Sequence, residues 1–315
     1  MLKAAVEGQL SREWREAHRD ELEPASELLD GILQERREKS TGRKYKEPAL
    51  PDTSDLPALP EGWEWANLER LAQAKSNALK AGPFGSALKK SYYVPQGYKI
   101  YGQEQVLRGD AHYGDYYIDE KRYRDLESCK VAPGEILVSL VGTIGQVHIL
   151  PENIEPGIIN PRLVKLSLDE RLVNARYIKI LLAAPVIREY FAISAHGGTM
   201  DILNLSILKR LPIPLAAPQE QRLIVEEVER RLSIVDKLEA TVEANLKQAG
   251  GLRQSILKQA FSGRLVPQDP DDEPASVFLE RIRAERDAAK PKSRKERRSK
   301  ARPQKSAYAE QRGLF

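Results

Sequence analysis

Along the charged stretch that follows Pro218, apolar residues recur every seven positions, and this pattern predicts a long helix with an apolar seam. The seam residues are Val228, Val235, Val242, Ala249 and Ile256, with Leu232 and Leu246 at the companion positions. Because two adjacent glycines weaken a helix, Gly250-Gly251 predicts a bend or a break there. We expect a coiled-coil arm over residues 219–262; the alternative is an amphipathic helix that lies on its own domain.

Short apolar runs in the middle of the chain predict strands. The runs are 99–101, 116–118, 136–140, 146–150 and 163–166, and Gly142 and Gly145 mark a hairpin between two of them. A helical pattern follows over 175–193. The predicted fold class is α+β, with a β-rich α/β body over residues 61–218 that has the size of one domain. Prolines mark residues 41–60, before this body, as a linker.

Both ends of the chain carry a copy of the same element, which indicates an internal duplication. Residues 2–10 are similar to 257–265, and residues 23–29 are similar to 273–279. In each copy, Gly8 or Gly263 is placed to end a helix, and Pro24 or Pro274 is placed to begin a second, short helix. The sequence assigns the two helical copies to residues 1–40 and 263–284.

Composition narrows the class of protein. No run of the 315 residues approaches the roughly 20 apolar positions of a membrane helix, and the charged first twenty residues contain no secretory signal. Cys129 is the only cysteine, so an internal disulfide and a cysteine metal cluster are excluded. We therefore expect a soluble cytoplasmic protein that binds no metal.

The net charge of +4 is distributed unevenly. From Ala284 onward there are eleven Lys and Arg against four Asp and Glu, a net of +7, which leaves −3 for the rest of the chain. A basic run without apolar periodicity is typical of a solvated tail, so residues 285–315 are predicted to be disordered. The alternative is an arm that contacts phosphates.

A search for catalytic motifs favours binding over catalysis. The segment from Gly142 to Gly145 lacks the third glycine of a dinucleotide fingerprint, and the chain has no phosphate-binding P-loop. Asn160-Pro161-Arg162 lacks the aromatic residue with which amino-directed DNA methyltransferases stack on a flipped base. Asp115, Asp119, Glu120 and Lys121 stand in a charged, tyrosine-rich segment, which indicates a solvated loop rather than a nuclease site.

Two segments have the composition of a nucleic-acid-binding surface. Residues 82–93 combine turn glycines with lysines, hydroxyls and tyrosines, and residues 196–200 form a polar, glycine-rich loop. Lysines neutralise phosphates, and glycines let backbone N–H groups approach them. The candidate DNA-binding residues are Lys75, Ser86, Lys89, Lys90, Tyr92, Tyr93, Arg108 and Thr199. Either segment alone could equally be an ordinary surface loop.

Taken together, these motifs resemble the specificity subunit of type I restriction–modification enzymes. The matching segments are Leu59-Pro60-Glu61-Gly62-Trp63, Gly82-Pro83-Phe84-Gly85-Ser86, Ser139 with Gly142-Thr143-Ile144-Gly145, Asn160-Pro161-Arg162, His196-Gly197-Gly198-Thr199, residues 213–221 and residues 252–263. In that family one chain carries two target-recognition domains, which read the two halves of a split DNA target. Helical regions between the domains bind two methyltransferase subunits.

The resemblance implies a non-catalytic subunit whose partners do the chemistry. Methyltransferase subunits bring S-adenosylmethionine, and restriction (motor–nuclease) subunits use ATP and Mg²⁺, so no cofactor is expected on this chain. It departs from the family in having one recognition domain, and Met1 stands where Ile256 stands in the second copy, as if an upstream half were missing.

Two origins of this half-length form stay open: a half-subunit that pairs with itself, or the downstream part of a split or truncated gene. We expect the first, a dimer joined through Val228, Leu232, Val235, Val242, Leu246 and Ile256. An arm of 31 helical residues is about 46 Å long, enough to bridge DNA half-sites about 34 Å apart. The alternative from another class is a coiled-coil scaffold whose body binds protein.

Overall fold

The computed structural model describes residues 1–39, 47–54, 56–141, 143–195, 203–267 and 269–289. The chain forms two compact units, which divide between Leu238 and Glu239. The first unit contains the predicted body and the first helical copy. In the second, the long helix ends and the second helical copy follows.

The body is built from short strands. Their bounds are β1 Glu64–Asn67, β2 Leu79–Ala81, β3 Tyr93–Val94, β4 Tyr98–Tyr101, β5 Tyr117–Ile118, β6 Ile136–Ser139, β7 Val147–Ile149, β8 Gly157–Ile159, β9 Leu163–Leu166 and β10 Pro212–Leu215. They form a sheet of order β2-β9-β6-β7, a sheet of order β3-β5-β4-β8 and the pair β1-β10. All pairs are antiparallel except β4 with β8. The five predicted strands are confirmed within one or two residues, and α+β is confirmed as the fold class.

The sheet that contains β6 and β9 lies between two hydrophobic cores, because successive residues of a strand point to opposite faces. Ile136 and Val138 belong to the larger core, whereas Leu137 between them belongs to the smaller core beside the second sheet. Burial on both faces explains why β6 begins with three consecutive apolar residues rather than alternating apolar and polar ones.

Helices cover the body and flank it. Their bounds are α1 Leu2–Val6, α2 Arg12–Ala17, α3 Ala25–Lys39, α4 Leu68–Leu71, α5 Gln103–Arg108, α6 Glu120–Asp125, α7 Ala175–Ala183, α8 Pro185–Ala195, α9 Leu205–Arg210, α10 Pro218–Phe261 and α11 Ala275–Ala289. The single helix predicted over 175–193 is wrong, since α7 ends before Pro185. Proline disfavours helical geometry in the preceding residue, and Ala184 is extended at ψ 142°.

The two helical copies fold as predicted where they are described. Gly8 and Gly263 have φ of +66° and +68°, the left-handed conformation expected after a helix end. The next helices, α3 and α11, both begin one residue after a proline and run for 15 residues, longer than predicted. Because α11 continues to Ala289, the tail predicted from residue 285 begins inside this helix, and residues 290–315 lie outside the described part.

The long helix α10 is continuous over 44 residues and passes through Gly250-Gly251, so the predicted break is wrong. Its first turns are buried on the body, and Val228 is fully buried there. Val228 is therefore core of this chain, not part of a seam open to a partner. The seam that faces solvent starts one turn later and consists of Leu232, Val235, Val242, Leu246 and Ile256.

Candidate nucleic-acid interface

Motif segments that are far apart in sequence meet at one edge of the body. Gly82 follows β2, and its N–H donates to the carbonyl of Leu163, 2.9 Å away. A Cβ at Gly82 would lie 1.9 Å from the carbonyl oxygen of Asn160, so only glycine allows the two turns to touch. The turn at 160–162 and the loop at 82–93 are thus neighbours, although nothing in the sequence indicated that they meet.

Gln103, at the first position of α5, connects this turn to the end of β6. Its Nε2 donates to Ser139 Oγ at 2.7 Å and also to the carbonyl of Val141. Its Oε1 accepts a hydrogen bond from Arg162 Nη1 at 3.3 Å. These partners fix the carboxamide, so its oxygen faces Arg162. Sequence reasoning missed Gln103, since all of its partners are more than thirty residues away.

Arg162 is exposed on a rigid turn. Its N–H donates to Asn160 Oδ1 at 2.9 Å, and its carbonyl accepts from the N–H of Leu140 at 2.9 Å. The backbone is thereby fixed on both sides while the guanidinium reaches solvent. The turn predicted at Asn160-Pro161-Arg162 is confirmed.

The described residues that flank the polar loop at 196–200 contact the same edge. Leu203 donates its N–H to the carbonyl of Leu140 at 3.1 Å, and a Cβ at Gly145 would lie 3.1 Å from the ring of Phe191. Thr199 itself lies outside the described residues, and so does Gly142.

The loop at 82–93 exposes three of its five predicted contact residues, whereas Tyr92 and Tyr93 are half-buried. Ser86 and Lys90 are exposed on two short 3₁₀ turns, Gly85–Ala87 and Lys90–Tyr92, and the exposed Lys89 directly precedes the second turn. Phe84, which sequence reasoning did not select, is 75% exposed on the same loop.

Tyrosines near this loop hold cationic side chains in place. The guanidinium of Arg122 lies 3.9 Å from the ring centroid of Tyr92, and that of Arg108 lies 4.0 Å from the centroid of Tyr113. Tyr93 packs at 5.6 Å on Tyr116, and its burial raises the pKa of its hydroxyl. Cation–π contacts restrict the motion of long side chains, so the positive charges of Arg108 and Arg122 are already held in place in the chain alone.

Lys99 is a buried cation that sequence reasoning treated only as a strand residue. Its ammonium donates to the carbonyls of His112 and Gly114 at 2.9 and 3.1 Å, and to Glu155 Oε1 at 2.8 Å. A buried ammonium is tolerated only with such partners. Lys99 thus fixes the segment after α5, the helix that carries Arg108.

Lys75 lies elsewhere on the body. It precedes β2, whereas the loop at 82–93 follows this strand, so the two lie at opposite ends of β2. Its ammonium pairs at 3.3 Å with the buried carboxylate of Glu135, which also accepts from Lys165 and Ser167. The structure therefore does not bring Lys75 together with the other candidate residues.

Two buried ionic contacts attach the first helical copy to the body. Glu220, in the first turn of α10, accepts hydrogen bonds from Ser11 at 2.6 Å, Arg15 at 2.7 Å and Trp63 at 2.9 Å. Arg36 of α3 donates to Asp169 at 3.2 Å and to the carbonyl of Arg70 at 2.8 Å. These contacts position the copy, the body and the start of α10 relative to one another.

No group of three His, Cys, Asp or Glu side chains among the described residues is arranged to hold a metal ion. Among the same residues, no helix is both long and apolar enough to cross a membrane. The described residues form an α+β body with converging loops and a long helix with an exposed apolar seam.

The comparisons with known proteins agree with this class. The family model described as "Type I restriction modification DNA specificity domain" matches residues 60–248, which is more than half of the chain. The chain therefore belongs to this family of specificity domains, and the predicted resemblance is confirmed.

This chain matches only part of the length of its individual relatives. The EcoBI specificity subunit of Escherichia coli is 34% identical over 51% of this chain and 35% of that protein. The EcoKI specificity subunit of E. coli K12 is 27% identical over 71% of this chain and 49% of that protein. This chain thus matches about half or less of these two relatives.

A solved chain from a study of complex assembly in a type I R-M system has the same fold, with a TM-score of 0.50 at 20% identity. The match covers 83% of this chain and 58% of that one.

Proposed function

We propose that this chain is the DNA sequence-recognition subunit of a type I restriction–modification complex, and that its body, residues 61–218, reads one half of a split target. The observation that carries the proposal is the convergence of Gly82, Gln103, Ser139 and Arg162 at one edge of the body. A cationic loop lies directly beside this edge. Rigid elements that present several polar loops at one edge are suited to reading base edges while lysines neutralise phosphates.

Catalysis is assigned to partner subunits. Methyltransferase subunits would bind S-adenosylmethionine, and restriction subunits would use ATP and Mg²⁺, while this chain binds no cofactor and acts in the cytoplasm. Membership of the specificity-domain family supports this division of labour.

Self-association is the finer part of the proposal. Leu232, Val235, Val242, Leu246 and Ile256 repeat along one helix and are all exposed. An exposed heptad seam is stabilised by a second helix, since the seam residues then leave water. A two-fold symmetric dimer would read an inverted repeat, with a spacing set by the helices.

Native mass spectrometry of the intact complex, purified from its own host, tests the assembly. Two copies of this chain with methyltransferase subunits are expected. One copy beside a different specificity chain would overturn the self-pairing but keep the recognition function. Absence of any methyltransferase, together with no DNA affinity at low salt, would instead favour the scaffold alternative.

A further inference from the structure

Phe84 is an exposed aromatic ring in an unusual setting. It is 75% exposed, whereas Phe191, the other phenylalanine described in the same unit, is buried in the larger core. Single exposed apolar residues are common on proteins, so exposure alone carries little weight. Phe84 differs from such residues in how its backbone is held and in the charges that surround its ring.

The backbone on both sides of Phe84 is anchored. On the N-terminal side, Gly82 is pressed against the turn at Asn160, and Pro83 is buried with a fixed φ. On the C-terminal side, the carbonyl of Phe84 accepts from the N–H of Ala87 at 3.3 Å, and Leu88 is buried in the smaller core. The ring is thus an apolar projection on a fixed support.

A positive charge stands on the adjoining turn. Arg162 lies two residues after Asn160, the residue against which Gly82 packs. The guanidinium of Arg162 is oriented by its hydrogen bond to the carboxamide of Gln103. Lys89 and Lys90 follow Phe84 on the same loop and are exposed. The centre of a protein–protein interface is apolar and poor in charged residues, so a single ring among cations does not fit it. Such a ring fits a nucleic acid, whose phosphates are negative and whose base faces are apolar.

We propose that Phe84 is a wedge that inserts at a base step of the bound DNA, while Arg162 contacts the adjacent phosphate. This inference rests on the proposed function. A phenyl ring has no hydrogen-bond donor or acceptor, so the wedge adds affinity by stacking and by unstacking one base step rather than by hydrogen bonds to base edges.

The test uses the full chain in its complex with methyltransferase and a duplex selected from a random library by the wild-type complex. The base analogue 2-aminopurine is placed at each position of this duplex in turn, since its fluorescence rises on unstacking. The variants are Phe84→Ala and Phe84→Leu. Leu50→Ala is the matched control, because Leu50 is equally exposed at 76%.

Phe84→Ala is expected to weaken binding about tenfold on both the selected and a scrambled duplex, and to abolish the fluorescence rise. Phe84→Leu keeps an apolar wedge and should keep most of the signal, and Leu50→Ala should change neither property. Unchanged affinity and fluorescence in Phe84→Ala would overturn the wedge. Weaker binding of the selected duplex with an unchanged fluorescence rise would also overturn it, since the ring would then contact the DNA without unstacking a base step. A wild-type complex that selects no sequence would instead refute the proposed function.

Discussion

The indole N–H of Trp63 donates to Glu220 Oε2 at 2.9 Å, and this bond joins the first residues of the body to the first turn of α10. The other carboxylate oxygen accepts from Ser11 and Arg15 of the first helical copy. One buried carboxylate thus holds three parts of the unit together. The first turn of α10 is thereby attached to both the body and the first helical copy.

Glu220→Ala should destabilise the first unit by about 3 kcal/mol, because it leaves the Arg15 guanidinium and the Trp63 N–H without their buried acceptor. Urea unfolding followed by tryptophan fluorescence measures this loss. Glu226→Ala, at an exposed position of the same helix, is the control and should change stability by less than about 0.5 kcal/mol. Equal effects of the two variants would show that the Glu220 cluster is not a structural junction.

Lys89→Ala combined with Lys90→Ala should weaken DNA binding on all sequences and reduce the slope of log K against log salt by about 2. Both ammonium groups are exposed on the loop beside the converging edge. Fluorescence anisotropy of the intact complex over a salt series gives the slope. Lys3→Ala with Lys39→Ala removes the same charge from the helical copy, where both lysines are exposed, and should leave the slope unchanged. A slope that the loop variant does not alter would exclude the loop from phosphate contact.

Val235→Asp should separate associated helices without unfolding the body, since Val235 is 52% exposed in the single chain and the aspartate would carry a charge into a buried seam. Size-exclusion chromatography with light scattering measures the mass. Ser233→Asp adds the same charge to an exposed position off the seam and should leave the mass unchanged. If Val235→Asp retains the oligomeric mass, the seam does not mediate association.

The Asp169 carboxyl gives the fold a defined pH dependence. Burial raises the pKa of Asp169, but hydrogen bonds from Arg171 and Arg36 outweigh it, so the pKa lies below its usual value. A lowered pKa in the folded state stabilises the protein above the unfolded pKa of about 3.9, and this stabilisation is lost as pH falls through the folded value.

Asp169→Asn should therefore be destabilising at pH 7, and the difference from wild type should shrink toward pH 3. Urea unfolding at several pH values measures it. Asp20→Asn, an exposed position in the helical copy, should show a small and nearly constant difference. A gap between Asp169→Asn and wild type that persists at pH 3 would mean that charge on Asp169 does not stabilise the fold.

Local patterns predicted the elements that are determined locally. The strands at 136–139 and 163–166 have consecutive apolar residues because both faces of their sheet are buried, although Ser139 and Lys165 are polar exceptions. Glycine and proline marked the helical copies because left-handed φ and the first helical turn favour them. The break between α7 and α8 also had a local signal, Pro185, which the apolar periodicity obscured.

Tertiary contacts could not be predicted in the same way. Val228 obeys the heptad pattern as well as Val235 does, and only the position of the body decides that one is buried and the other exposed. Gln103 and Lys99 have partners that are distant in sequence, so no local signal distinguishes them from ordinary surface residues. The convergence of the motif loops depended on the β2–β9 pairing, which sequence reasoning did not foresee.

Selection from a random duplex library by the intact complex tests the central claim most directly. If the body at 61–218 reads DNA, the retained duplexes will share a short defined sequence. If two copies of the chain also pair through α10, this sequence will occur twice in each duplex, as an inverted repeat with a fixed spacing. An assembled complex that retains duplexes with no shared sequence would contradict the claim that this chain recognises DNA by sequence.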